Sequence, residues 1–432
     1  MQSYIWKDLD AKARKVALKR PENRRDPKVL DRVRQIFDDI EARGMAALTD
    51  WAIKLDGHAP DQIRLDAKTV AAARAQLSTD DLDAMHLAVD NVRAFQTAEL
   101  PGDGTVIAPR PGLSLQRLYR PITTAGLYVP GGLAPLFSTL IMTAVPAAVA
   151  GVPNRVCVTP PARDGSLHPM MIAAGAASSL DAIWRVGGAH AIAALALGVL
   201  DGIPPADKIF GPGNKYVAEA KRYATERVSG LAIDMPAGPS ELLVIADDTT
   251  VVKLVAADLL SQAEHDADAQ VILVALSASI AAQIAAEVEV QVARLPRESI
   301  ARASLQQARL FIVSDISEAA EVSNLYGPEH LALQVADLDA LIPQLTAAGT
   351  IFAGPYAAET FGDYAAGPSH VLPTDGAARA WDGITVRSFL TSFVVQKATR
   401  EGAATIAPAA ARLARLEGLE AHALAADFRL EI

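Results

Sequence analysis

Two segments of the chain combine residue types that could hold a metal ion or move a proton. The first is LLSQAEHDADAQ, residues 259–270, which closes an apolar helical pattern and places Gln262 and His265 three positions apart. Side chains at this spacing lie on one face of a helix, so both can reach the same ligand. Their nitrogen and oxygen atoms suit Zn²⁺. The same spacing also fits a solvated helix end.

The second segment is YGPEHL, in which Glu329 and His330 stand next to each other at a turn marked by Pro328. The reference pKa values of these two side-chain types lie roughly two units apart, so one group can act as an acid while the other acts as a base. The pair therefore predicts a centre for proton transfer.

Two later segments supply further polar groups. FGDYAAGPSHVLPT, residues 361–374, contains Asp363 and His370, and EGLEAHA, residues 417–423, contains His422. One interpretation is a zinc site made of Gln262, His265, Asp363 and His422. The alternative is a helix end, a surface turn and a solvated tail, because the four residues are far apart in sequence and glutamine is a weak ligand.

Four glycine-rich turns follow strand-like segments: YVPGG, RVGGAH, FGPGN and DMPAGPS. Backbone N–H groups at such turns bind the phosphates of a dinucleotide. None of the four matches G-x-G-x-x-G, and each one alone also fits an ordinary tight turn. Because turns at the carboxyl ends of parallel strands share one crevice, the presence of four favours a nucleotide site.

The elements that position these segments alternate between apolar strands and helices from about residue 120 onward. RVCVTPP, AIWRVGG, ELLVIAD, AQVILVAL, RLFIVSD and GTIFAG are typical of strands, and helical patterns separate them. This rhythm predicts an α/β fold with parallel sheets covered by helices. We expect a helical N-terminal region over 1–110, two α/β domains over 111–235 and 236–375, and a helical tail over 376–432.

Two expectations concern the surroundings of the candidate site. ISEAAEVSNLYGPEHLAL, residues 316–333, is predicted to be mostly helical. Residues 121–154 contain no charged side chain, but five prolines interrupt them. We therefore expect buried loops and a core helix there instead of a membrane span.

Composition narrows the functional classes. The 432-residue chain has a formal net charge of −10, which disfavours nucleic acid as a partner. Its one cysteine, Cys157, cannot form a disulfide within the chain and excludes a cysteine-based zinc site. The first residues, MQSYIWKDLDAKARK, lack an apolar signal core, so we expect a cytoplasmic protein without a membrane partner.

Taken together, the motifs resemble the histidinol dehydrogenase family. The blocks that carry the resemblance are GLYVPGG, FGPGNKYVAEAKR, IDMPAGPSELLVIAD, AADLLSQAEHDADAQ, YGPEHLAL, GDYAAGPSHVLPT and EGLEAHA, in this order. The resemblance implies two incomplete Rossmann-like domains and a homodimer in which each tail enters the partner subunit. It also implies a zinc- and NAD-dependent four-electron oxidation of L-histidinol through the aldehyde to L-histidine.

The resemblance also assigns roles to individual residues. It implies that Glu329 and His330 are catalytic, with His330 as the general base and Glu329 activating water. The zinc ligands it implies are Gln262, His265, Asp363 and His422. The same four residues and His330 are expected to contact substrate, together with Ser240, His370 and Glu417. The cofactor contacts are expected at Tyr128, His190 and Asn214.

Three positions depart from the family pattern. His190 stands where glutamine is usual near the cofactor, Gly327 replaces alanine, and Ser369 replaces an asparagine before His370. These departures leave open a paralogous NAD- and zinc-dependent dehydrogenase of another small polar alcohol, such as sulfopropanediol. A non-enzymatic α/β binding protein is the third hypothesis. It would have no use for the Glu329–His330 pair or for zinc.

Overall fold

The computed structural model describes residues 1–21, 26–131, 135–235 and 238–431. Gly132 of the YVPGG turn and Pro236 and Ala237 of the DMPAGPS turn lie outside these described residues. Within them the strands are β1 (Gln2–Ile5), β2 (Asp61–Arg64), β3 (Ile107–Arg110), β4 (Leu113–Pro121), β5 (Thr124–Tyr128), β6 (Asn154–Thr159), β7 (Ala182–Arg185), β8 (Lys208–Phe210), β9 (Ala232–Ile233), β10 (Glu241–Ala246), β11 (Gln270–Ala275), β12 (Arg309–Ile312), β13 (His330–Gln334), β14 (Thr350–Ala353) and β15 (Leu390–Ala398).

Helices cover and connect these strands. The α-helices are α1 (Ala11–Ala17), α2 (Pro27–Arg43), α3 (Met45–Leu55), α4 (Ala67–Arg74), α5 (Thr79–Glu99), α6 (Phe137–Val149), α7 (Pro169–Ala177), α8 (Gly188–Leu197), α9 (Lys215–Arg227), α10 (Val252–Ala263), α11 (Ala278–Val292), α12 (Glu298–Gln307), α13 (Ile316–Tyr326), α14 (Leu338–Leu341), α15 (Glu359–Tyr364), α16 (Arg400–Leu416) and α17 (Glu420–Asp427).

The first sheet has the strand order β2-β7-β6-β5-β8-β9, in which all strands except β2 run parallel. Leu127 belongs to the core beneath α5, α6 and α7, whereas Tyr128 belongs to the core beneath α2, α8 and α9. Helices therefore cover both faces, as the apolar strands predict. The four glycine-rich turns follow β5, β7, β8 and β9, so their described parts lie along the carboxyl edge of this sheet.

The second sheet is parallel throughout, with the order β1-β12-β11-β10-β13-β14. Leu242 on β10 faces α10 and α11, and Leu243 faces α13 and the N-terminal segment. Since Leu242 pairs with His330, the first residues of β10 and β13 lie side by side at the amino edge of the sheet. These two parallel sheets confirm the predicted α/β fold class.

Residues 316–333 are mostly helical, as predicted, but the end of the segment forms a strand that was not predicted. Helix α13 ends at Tyr326, where Gly327 closes it with a left-handed backbone at φ 62°. His330–Gln334 then forms β13, which is buried between β10 and β14. A strand covered on both faces has a continuous apolar run, and its period does not distinguish it from a buried helix.

Residues 121–154 contain the expected core helix, α6, with Pro146 inside it. They also contain β5, a central strand that was not predicted because five consecutive buried residues give no alternation. No helix in the described ranges is long and apolar enough to cross a membrane.

A third sheet was not predicted either. Strand β15 lies within the supposed helical tail and pairs antiparallel with β4, which pairs in turn with β3. Strands β1 and β2, from the region predicted to be helical, join the second and first sheets. Apart from the β3–β4 hairpin, these pairings join segments distant in sequence, and local propensity does not report such partners.

Candidate active site at the junction of the two parallel sheets

His330 begins β13 and is buried with 5% of its surface exposed. Its Nδ1 lies 3.0 Å from the carbonyl oxygen of Glu241. Because a carbonyl only accepts, Nδ1 carries the proton and Nε2 is left with a free electron pair. Burial lowers the pKa of His330 to about 3, so the imidazole is neutral near pH 7. Nε2 is buried and has no hydrogen-bond partner in the described residues.

Glu329 lies beside this imidazole, and its side chain is also hydrogen-bonded to the backbone of Glu241. Its Oε2 accepts a hydrogen bond of 2.8 Å from the backbone N–H of Glu241 and lies 3.6 Å from Nδ1 of His330. Burial raises the pKa of Glu329, and the hydrogen bond from Glu241 only partly offsets that effect. The structure therefore brings the predicted acid–base pair together in a buried setting.

Two more carboxylates surround His330. Oε1 of Glu359 lies 3.4 Å from Nδ1, and Oδ1 of Asp363 lies 3.8 Å from Nε2. Burial raises the pKa of Asp363 to about 6, and burial with neighbouring carboxylates raises that of Glu359. Both residues lie on the short helix α15, whereas the alternative interpretation of the sequence was a surface turn at Asp363. A buried group of acids of this kind favours a bound cation.

Gln262 lies in the last turn of α10 with 1% of its surface exposed. Neither the oxygen nor the nitrogen of its amide has a hydrogen-bond partner in the described residues. The preceding residue, Ser261, donates a hydrogen bond of 3.3 Å to Glu359, which places this turn beside the His330 cluster. A buried amide left without partners costs roughly 1–3 kcal/mol, so a ligand is the natural partner for it.

His265 follows α10 and is exposed at the surface. Desolvation and the charge of Arg297 lower the pKa of its imidazole. His265 is also close enough to lower the pKa values of His330 and His370 by charge repulsion. The structure therefore brings Gln262, His265 and Asp363 to one region around His330, as the zinc hypothesis requires.

His370 connects this cluster to the first sheet. Its Nδ1 lies 2.7 Å from the carbonyl oxygen of Asp363 and therefore donates the proton. Its Nε2 lies 3.2 Å from Oγ1 of Thr139, in the first turn of α6. That turn follows β5, whose carboxyl end faces the candidate site. Ser240 also lies at this junction, since it directly precedes Glu241.

The two tail residues do not join this cluster within one chain. His422 and Glu417 are both exposed, and α17 packs mainly against α16. Among the described residues no group of three or more histidine, cysteine or carboxylate side chains is arranged to hold a metal ion. Without His422, the predicted ligand set offers only His265 and Asp363 of these types, so one chain holds an incomplete set.

The carboxyl edge of the first sheet presents the residues predicted to contact the cofactor. The hydroxyl of Tyr128 accepts a hydrogen bond of 3.2 Å from the backbone of Gly188, and burial raises its pKa to about 12. Asp56 accepts hydrogen bonds of 2.9 Å from the backbone of Gly187 and from Nε2 of His190. These side chains surround the N-terminus of α8, where a phosphate would find N–H donors.

The neighbouring FGPGN turn is closely packed. Gly211 has φ 112°, and a β-carbon there would lie 1.9 Å from the carbonyl oxygen of Tyr128. Lys221, buried with Asp234, donates to the carbonyl of Gly211 and to the Asp234 carboxylate. Asn214 caps α9 through its oxygen, which leaves its amide nitrogen available to a ligand.

Sequence analysis missed several residues of the site. Glu241, Glu359 and Asp56 stand in strand, helix or turn segments without a pattern that marks them. Two of the three lie close in sequence to a predicted site residue. Glu241 follows Ser240, and Glu359 precedes Asp363 by four residues. Their contacts are all long-range, and only the folded chain supplies them.

A sheet edge with dinucleotide-type turns beside a buried, neutral imidazole is typical of an α/β dehydrogenase. The family model described as histidinol dehydrogenase matches residues 18–430. The chain is 43% identical to histidinol dehydrogenase of Xanthomonas oryzae pv. oryzae over 432 residues, which is 100% of both chains. It is 41% identical to that of Escherichia coli strain K12 over 428 residues, covering 98% of this chain and 96% of the relative.

The solved structures agree with this result. The crystal structure of histidinol dehydrogenase from Elizabethkingia anophelis matches with a TM-score of 0.95 and 39% identity, covering 100% of this chain and 98% of that one. The chain belongs to the histidinol dehydrogenase family. It is an NAD-dependent oxidoreductase, which confirms the enzyme class and excludes a non-enzymatic binding protein.

We predict that Gln262→Leu stabilises the metal-free protein and weakens zinc retention. Leucine removes two buried polar atoms without partners, so the free energy of unfolding should rise by about 1–2 kcal/mol. Urea unfolding of metal-free protein and zinc content after dialysis measure the two effects.

Gln334→Leu is the matched control. The Gln334 amide is also buried but donates a hydrogen bond of 3.2 Å to the carbonyl of Gly354, so the substitution should destabilise by about 1–3 kcal/mol and leave zinc content unchanged. A metal-free Gln262→Leu protein less stable than wild type would contradict the role assigned to the unpaired amide.

Proposed function

We propose that this chain oxidises L-histidinol to L-histidinal and then to L-histidine, reducing two NAD. The observation that carries the proposal is the buried His330 imidazole, whose Nδ1 proton is fixed and whose Nε2 is unpaired. A neutral imidazole with a free nitrogen is ready to take a proton from an alcohol. A cytoplasmic location, where NAD is regenerated, fits this activity.

In the first oxidation, Nε2 of His330 takes the proton of the substrate hydroxyl. NAD held by Tyr128, His190 and Asn214 would accept a hydride from the alcohol carbon, which would become the aldehyde carbon. In the second oxidation, Glu329 takes a proton from water as its oxygen adds to the aldehyde carbon. Because burial raises the pKa of Glu329, its carboxylate is a stronger base than an exposed one. After His330 has passed its first proton to solvent, it takes a proton from the hydrate, and a second NAD would accept the second hydride.

The residues around His330 fit a zinc ion. We propose that Gln262, His265 and Asp363 hold it together with His422 of a second subunit. The unpaired Gln262 amide and the buried Asp363 carboxylate support this set. When bound, zinc would fix the imidazole and amino nitrogens of the substrate near the base, so its main contribution is position.

The other proposed site residues divide into substrate contacts and cofactor contacts. Ser240, His370 and Glu417 are proposed to bind the substrate, and Tyr128, His190 and Asn214 the cofactor. The hydrogen bond of His370 to α6 supports a substrate pocket between the two sheets. The Tyr128–Gly188 hydrogen bond supports a cofactor position at α8.

We propose a homodimer with shared sites. Apolar side chains are exposed on the tail and on β15, among them Phe393, Val394, Leu413, Leu416 and Phe428. A surface of this kind is typical of a protein interface. A second subunit that covers it would bring His422 and Glu417 to a site that lacks them.

The proposed domain division keeps the boundaries expected from sequence. These are 1–110, 111–235, 236–375 and 376–432. The centres of the two parallel sheets support the middle two domains, since β5 to β9 and β10 to β14 fall within them.

The stoichiometry of NADH measures both oxidation steps. With excess NAD and zinc-loaded protein, two NADH should form for each L-histidinol consumed, with histidine as the product. One NADH per substrate would show that the aldehyde is released. Absence of turnover in a folded, zinc-containing protein would favour the alternative dehydrogenase of another small polar alcohol, such as sulfopropanediol.

His330→Asn should leave the fold intact and lower turnover by about 10²–10⁴-fold, the range for loss of an acid–base group. Steady-state rates and thermal unfolding measure these two properties. His168→Asn is a matched control, because exposed His168 only caps α7 and asparagine also caps helices. Equal turnover of His330→Asn and wild type would rule out the role of His330 as base.

His422→Ala should lose zinc on dialysis and lose turnover. If His422 completes the partner's site, a random mixture with His330→Asn contains heterodimers with one native site, and about a quarter of wild-type activity should return. Unfolding and refolding the two variants together provides the mixture, and refolding each alone is the control. No recovery, with heterodimers shown by native mass spectrometry, would contradict shared sites.

A further inference from the structure

One peptide unit positions both members of the acid–base pair. The N–H of Glu241 donates to Oε2 of Glu329 at 2.8 Å, and the carbonyl of Glu241 accepts from Nδ1 of His330 at 3.0 Å. The first bond holds the carboxylate, and the second fixes the imidazole ring and its tautomer. A small rotation of this peptide would therefore move both groups together.

The side chain of Glu241 is buried, with 1% of the residue exposed, and Arg20 binds it through two parallel hydrogen bonds. Nε of Arg20 lies 2.5 Å from Oε1, and Nη2 lies 2.8 Å from Oε2. This fork geometry fixes a carboxylate in direction as well as in distance. The N–H of Asp375 adds a third bond to Oε1 at 3.2 Å.

Arg20 also holds the turn that leads to the catalytic pair. Its Nη2 donates to the carbonyl oxygens of Tyr326 at 3.0 Å and Gly327 at 3.3 Å. Its guanidinium lies 3.8 Å from the centre of the Tyr326 ring. One guanidinium thus joins the start of β10 to the YGPEH turn.

We infer that Arg20 is a positioning residue for the reaction, acting through Glu241 on Glu329 and His330. The inference rests on the proposed function of that pair. Arg20 lies outside the pair itself and touches neither catalytic side chain, so its effect must pass through the Glu241 peptide and the turn. Displacement of a catalytic group by about 1 Å costs up to roughly 10²-fold in rate.

The test compares Arg20→Ala with Arg14→Ala. Arg14 comes from the same N-terminal segment, pairs with Glu321 on α13 at 2.8 Å, and stacks on Trp6 at 4.4 Å. It therefore matches Arg20 in chemistry and location but does not reach Glu241. We expect kcat to fall by about 10- to 100-fold in Arg20→Ala, with KM for L-histidinol changed by less than about threefold, and kcat to stay near wild type in Arg14→Ala.

Two additional measurements separate positioning from stability. A low, non-denaturing concentration of guanidinium should restore part of kcat in Arg20→Ala and none in Arg14→Ala. The losses of kcat in Arg20→Ala and His330→Asn should not multiply in the double variant, because part of the Arg20 effect passes through His330. Arg20→Lys, which keeps the charge but loses the fork, provides a milder variant if alanine does not fold, and its kcat should lie below wild type.

The outcomes distinguish the inference from the proposed function. Wild-type turnover in His330→Asn would contradict the role of His330 as base, and the inference about Arg20 would then fail as well. A large loss of kcat in His330→Asn, combined with wild-type kcat in Arg20→Ala and Arg20→Lys, would overturn the inference about Arg20. It would leave the proposed function in place. Equal losses of activity and melting temperature in the Arg20 and Arg14 variants would also overturn the inference, since that result assigns Arg20 a structural role only.

Discussion

The candidate site depends on the parallel pairing of β10 with β13. This pairing sets Glu241 next to Glu329 and His330 at the amino edge of the second sheet. Both strands are buried on both faces, so the register is fixed by the core on either side and cannot slip without exposing it. The geometry of the candidate acid–base pair is therefore a consequence of sheet packing, and loop conformation has little part in it.

A second constraint is the cost of buried polar groups. Most buried polar atoms in proteins have hydrogen-bond partners, yet the amide of Gln262 and Nε2 of His330 have none in the described residues. The buried carboxylates nearby have raised pKa values, which shows that their charge is poorly compensated. The protein maintains an arrangement that is unfavourable by itself, and a cation and a substrate would relieve it.

The site also depends on the meeting of opposite edges of two sheets. The first sheet contributes the carboxyl ends of its strands, where backbone N–H groups are available for a dinucleotide. The second contributes the amino ends of β10 and β13. His370 joins the two through Asp363 on one side and Thr139 on the other. In the proposed reaction, this arrangement would bring a hydride acceptor and a base to the same substrate, which dehydrogenation requires.

The sequence by itself determined the α/β class, six strands of the two parallel sheets, most helices and the residue types of the site, because period and turn composition are local properties. It predicted Glu329 and His330 as an acid–base pair from adjacency alone. It did not predict β13, β15 or the roles of Glu241, Glu359 and Arg20. Those depend on which distant segments pair and on which side chains lose water, and only the tertiary structure decides both.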